Sequence, residues 1–152
     1  MIKRLKYSAV IVFMLGVYSL AWADKILIIV AKDSEITTLT RKQLENIFRK
    51  KTLLNVNNER WVPINLIIDD PLRQAFSKKI FKQRPEEMES FWNIQYFNGI
   101  MPPYVVSSNE AVLRFVSSAP NAIGYIHNCY LDNRVRVLIK LNFNSLLTYS
   151  CP

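Results

Sequence analysis

Three glycines, one histidine and two cysteines are all that the 152 residues contain. With glycine only at positions 16, 99 and 124, neither a dinucleotide-binding fingerprint nor a P-loop can be written. The single histidine, His127, excludes paired-histidine metal motifs and has no partner set at metal-ligand spacing. No serine stands in a Gly-x-Ser-x-Gly elbow. Glu86, Glu87 and Glu89 read as acids complementing a helix start rather than a catalytic pair, and His127 as the surface end of a strand. These shortages argue against an enzyme and against any bound metal or cofactor. The formal charge of +8 comes from scattered lysines and arginines without an aromatic-interleaved basic motif, which argues against nucleic acid as a partner.

Long apolar runs are also missing, except at the start. MIKRLK is a basic opening, YSAVIVFMLGVYSL is apolar, and Ala21-Trp22-Ala23 has the small-x-small form of a cleavage site. The apolar run is short of the roughly 20 residues that span a bilayer. The expectation is a signal peptide over residues 1–23 and a soluble, periplasmic domain over 24–152, with no stable membrane insertion after cleavage. An uncleaved anchor is the alternative. In an oxidising compartment the even pair Cys129 and Cys151 reads as one disulfide, which stabilises by about 3 kcal/mol through a loop of about 22 residues. The spacing is not the Cys-x-x-Cys of redox chemistry.

Along the chain, KILIIVAK (25–32) reads as a buried strand. Thr40 and Gln43 form a capping-box pattern ahead of Leu44, Ile47 and Phe48, predicting a helix to about Lys51. WVPINLIID (61–69) reads as a strand in which Pro63 argues for an edge or an irregular start. Asp70-Pro71 opens a helix that buries Leu72, Phe76, Ile80 and Phe81. Arg84-Pro85 opens another, whose Met88, Phe91, Trp92 and Tyr96 fall on one face as core, a platform for a sugar or aromatic ligand being the alternative, and Asn98-Gly99 closes it. MPPYVV (101–106) reads as an extended connector. Ser107-Ser108-Asn109-Glu110 caps a helix that Pro120 stops, and AIGYI and VRVLIKL read as strands. Interspersed strands and helices indicate an α/β domain.

TRKQLENIF, a tryptophan followed by PINLII, PLRQAF, FW with a following FNG, and SSNEAVLRFVSSAPNAIGYI occur in an order that resembles substrate-binding proteins of phosphate ABC transporters, in particular their short stand-alone relatives. The resemblance covers about Lys25 to Leu141, and APNAIGYI is its most specific element. It implies the type 2 periplasmic-binding-protein fold, here a single short domain with a mixed sheet flanked by helices. It also implies a non-catalytic solute-binding role toward a small, phosphate-like anion, with an ABC transporter or another envelope protein as partner. The alternative is an interaction module that kept the fold and lost its ligand. Two departures stand out. Asp69-Asp70-Pro71-Leu72 replaces a Ser-Gly-Thr turn, adding negative charge and removing an amide donor. Arg49 follows Ile47-Phe48 where many relatives place glycine.

The candidate ligand residues are Arg73, Ser107, Ser108 and Asn109. Arg73, one turn into its helix, suits bidentate contact with an oxyanion, the alternative being an ordinary surface charge. The hydroxyls, amide and free N–H groups of the Ser107–Asn109 turn suit an anion as well, the alternative being simple capping worth about 1 kcal/mol.

Overall fold

The computed structural model describes residues 24–143 and residue 151. The signal-peptide expectation for residues 1–23 lies outside the described residues. The five strands are β1 (Lys25–Ala31), β2 (Val62–Leu66), β3 (Tyr104–Val106), β4 (Ala122–His127) and β5 (Val135–Asn142), in the sheet order β3-β2-β4-β1-β5. β2 runs parallel to β3 and β4, whereas β1 is antiparallel to both β4 and β5. With the helices α1 (Arg41–Phe48), α2 (Pro71–Phe81), α3 (Glu89–Phe97) and α4 (Asn109–Ser118), this is the mixed-sheet α/β fold that the sequence implies.

Side-chain alternation along β4 shows how the helices are layered. Gly124 faces α4 so closely that a Cβ there would lie 2.6 Å from Val112 Cγ1 and 3.1 Å from Val116 Cγ2. Tyr125 faces the other way. Its ring stacks on Phe76 of α2, with centroids 4.0 Å apart and planes at 8°, and lies 6.0 Å from Phe48 of α1. The sheet is therefore covered by α4 on one face and by α1 and α2 on the other. Central strands read as continuous apolar runs because both faces are covered, and β1 is buried from Ile26 to Ala31.

The helix starts follow cap chemistry. Gln43 N–H donates to Thr40 Oγ1 (3.2 Å), and Thr40 N–H donates to Gln43 Oε1 (2.8 Å), completing the capping box of α1. Asp70 Oδ1 accepts from Leu72 N–H (2.8 Å), with Pro71 in the first helical position of α2. After α1, Arg49 stays at negative φ and the left-handed residue is Lys50 (φ 56°).

The structure corrects several expectations. β2 is not an edge strand, because it lies between β3 and β4. Proline is accommodated there because Val62 N–H points to the β4 side, donating to Asn121 O (3.0 Å), so the position of Pro63 nitrogen faces the β3 side, where pairing begins only at Ile64. The extended connector before residue 107 is partly a strand, β3, and supplies the edge. The helix expected from Pro85 begins as a 3₁₀ turn, Glu86–Met88, before α3. Of its aromatic stripe only Met88 is buried. Phe91 and Trp92 are half-buried and Tyr96 is 61% exposed, because α3 lies over the margin of the core. His127 is not at the surface but 2% exposed, covered by its pairing with β1 and its place beside Asn109.

Candidate functional site

Asn65 is the one polar side chain in the apolar run from Val62 to Ile68, and it is 3% exposed. Since Ile64 lies beneath Gly124 on the α4 side, Asn65 turns to the face carrying Tyr125 and α2. There the Tyr125 hydroxyl accepts from Leu66 N–H (3.2 Å) and donates to Asn65 Oδ1 (3.3 Å). Burial pushes the Tyr125 phenol above its ordinary pKa, against the opposing pull of the nearby Arg73 guanidinium, so it stays a neutral donor.

Arg73 enters this group from the first turn of α2. It is 9% exposed, and its buried Nη1 has no hydrogen-bond partner among the described residues. A buried charge left short of partners is costly, so Arg73 departs from the ordinary surface charge that its helical position permits. It borders a cavity of about 350 Å³ together with Asn65 and Leu66 at the carboxyl end of β2. The opposite walls come from Trp92 and Asn93 of α3 and from Pro102, Pro103 and Val105 around β3. Glu86 and Glu89 stand on the same lining. The Gln74 amide of α2 ties two sides together by donating to Ile68 O (2.9 Å) and to Glu86 Oε1 (2.7 Å). Glu86's own backbone N–H, and then Gln74, hold that carboxyl below its usual range.

The cavity lies at the carboxyl end of β2 and meets β3 through Val105 and through Pro102 and Pro103, which precede that strand. The connection leaving β2 begins with α2 on one face of the sheet, and the connection leaving the adjacent parallel strand β3 runs through α4 on the other.

The remaining candidate residues do not line this cavity. Ser107 and Ser108 are exposed, and Ser108 Oγ accepts from Ala111 N–H (3.1 Å) as the cap of α4. Asn109 is buried, and its Oδ1 accepts from His127 N–H (2.9 Å), fastening α4 to the end of β4. Cys129 and Cys151 are joined in a disulfide with Cα atoms 5.8 Å apart. The donor atoms of these cysteines and of His127 lie within 4.8 Å of one another, but the disulfide leaves no thiolate to hold a metal. His127 Nδ1 accepts from Cys129 N–H (3.3 Å) and Nε2 lies 3.1 Å from Asp24 Oδ1, which fits the neutral tautomer with the proton on Nε2.

No protein-family model and no curated protein matches the chain. Solved structures do. A protein described as a phosphate ABC transporter substrate-binding protein from Clostridium perfringens, with bound phosphate, superposes with a TM-score of 0.62 at 21% identity over 76% of this chain and 45% of that one. An ABC-type phosphate transport receptor from Vibrio cholerae gives 0.60 at 18% identity over 76% and 46% of the two chains. PstS from Borrelia burgdorferi gives 0.55 at 21%, over 76% and 47%. The fold is that of phosphate ABC transporter substrate-binding proteins. The chain spans less than half the length of these phosphate-transporter proteins. Of the residues that border the cavity, sequence reasoning singled out Arg73 as a candidate and did not single out Asn65 or Trp92. The signal for Asn65 was present, as a lone amide inside an apolar strand. For Trp92 a ligand platform was the lesser alternative to core packing, because a half-buried wall residue and a core residue share the same helical spacing.

Proposed function

We propose that the chain is an exported, non-catalytic solute-binding protein that holds a small anion on Arg73, in the cavity at the carboxyl end of β2. The observation that carries this reading is the buried Arg73, with Nη1 unpartnered among the described residues, on a cavity at the carboxyl end of β2. An anion supplies the missing acceptors and neutralises the buried charge. The likeness to phosphate-transport proteins supports the same class of ligand, and an ABC transporter or another envelope protein is the partner that this role requires. Periplasmic delivery through cleavage after Ala23 completes the reading, and N-terminal sequencing of the exported product is expected to start at Asp24.

Thermal-shift and calorimetric titration of the purified chain against phosphate, sulfate and acetate tests the binding. A ligand at 100 times its Kd raises stability by about 2.7 kcal/mol. Arg73→Met is expected to abolish that gain while leaving the unliganded protein as stable or more so, since an apolar side chain replaces an underpartnered buried charge. Absence of any shift with every anion at millimolar concentration would end this reading. The second reading, an interaction module without ligand, would then stand. It is favoured by the exposed Ile94, Tyr96 and Phe97 of α3 and by the exposed Tyr104 and Val105 of edge strand β3.

A further inference from the structure

The anion-binding reading leaves open which kind of anion the cavity takes. We infer that the ligand is an organic monocarboxylate with a flat apolar body, whose head meets Arg73 and whose body lies between Trp92 and the Pro102-Pro103 wall. This inference rests on the anion-binding reading and narrows it.

Three observations point this way. The cavity of about 350 Å³ falls in the range of small-molecule sites, far more space than four oxygens around one phosphorus or sulfur require. Its walls are mostly carbon: Leu66, Ile68 and the prolines offer no side-chain donors, and Trp92 adds a broad ring. The planar fork of the one guanidinium suits the two oxygens of a carboxylate, and the amides of Asn65 and Asn93 with the Trp92 indole are the further side-chain donors on the lining. Finally, Glu86 and Glu89 share the lining with Arg73. Coulomb repulsion from these two carboxylates scales with ligand charge, so they penalise a dianion twice as much as a monoanion. Among the described residues, Arg73 is the only basic one on the lining. A single positive charge beneath an apolar chamber with an acidic lining selects for one negative charge attached to a hydrophobic group.

The test is calorimetric titration of the purified chain with phosphate, sulfate, acetate, hexanoate and phenylacetate, with phenethylamine as the cationic control. Affinity is expected to rise from acetate to the longer acids by about fourfold for each methylene buried. Phenylacetate is expected to bind at least tenfold tighter than phosphate or sulfate. Trp92→Ala should remove most of the gain of phenylacetate over acetate without weakening acetate itself, with circular dichroism confirming the fold. The double variant Glu86→Gln/Glu89→Gln, which changes exposed positions, should tighten sulfate more than phenylacetate. Sulfate or phosphate binding as tightly as phenylacetate would overturn the monocarboxylate inference and leave the anion reading intact. Equal affinity for phenethylamine would overturn the role of the charge. Binding by none of these probes would overturn both.

Discussion

Gly124 and Tyr125 are adjacent residues with opposite tasks. The first has no side chain because α4 needs its space, and the second fills the other face of the sheet with an aromatic ring and a hydroxyl that reaches β2. Gly124→Ala places a methyl group 2.6 Å from Val112 Cγ1, a contact that the β-branched side chain cannot relieve without moving α4. A loss of about 1–3 kcal/mol is expected from such overpacking, read as a lower urea midpoint with an unchanged slope. Val112→Ala in the same chain should recover part of it, and an unperturbed midpoint for Gly124→Ala would refute the close contact. The proline before this strand and the lone glycine within it were legible as architecture. The lone amide of Asn65 stood out in its apolar run, but its burial was not legible, because period-two alternation says that successive residues face opposite sides but not that both sides are covered.

At the scale of elements, α4 is held by chemistry at its first turn. Arg134, at the entry to β5, makes a bidentate pair with Glu110, Nη1 to Oε1 at 3.0 Å and Nη2 to Oε2 at 2.8 Å, and also meets Asp132. Hydrogen bonds from Arg134 and then Arg114 hold the Glu110 carboxyl at about 2, well below the ordinary 4.5. A carboxyl depressed in the folded state contributes stability that is fully present above its unfolded value and is lost as pH falls toward the folded one. Melting temperature is therefore expected to decline between about pH 4.5 and pH 2. Glu110→Gln should flatten the part of that decline due to this pair, and an identical acid profile in the variant would remove Glu110 from the account. Caps of this kind were readable from sequence, since Thr40 with Gln43, Asp70 with Pro71, and Ser108 act within one turn. Ser108→Ala is expected to cost about 1 kcal/mol of stability without changing anion affinity, because Ser108 caps α4 and does not border the cavity; a loss of affinity in that variant would move the site toward the α4 turn. The fate of α3 was not readable, because its aromatic stripe looks the same whether or not another layer covers it.

For the molecule as a whole, the Cys129–Cys151 disulfide ties the chain end to the turn after β4, and no helix among the described residues is long and apolar enough to cross a membrane. Cys151→Ser is expected to lower stability by about 3 kcal/mol, the loop-entropy value for its separation of 22 residues. Dithiothreitol should lower the wild-type midpoint by a similar amount and leave the variant's unchanged; a wild-type midpoint insensitive to reductant would mean that the crosslink contributes nothing. The shared fold with proteins more than twice as long leaves the cavity here bordered by β2, β3, α2 and α3 on one sheet. Sequence by itself determined the α/β class, the helix starts, the cysteine pair and Arg73 as a candidate, because periodicity, capping and covalent chemistry are local. Only the tertiary structure decided that Arg73 is buried beside Asn65 and a cavity, while Ser107, Ser108 and Asn109 serve the start of α4. That outcome depends on which face of the sheet each crossover covers, and it takes the packing of strands distant in sequence to settle it.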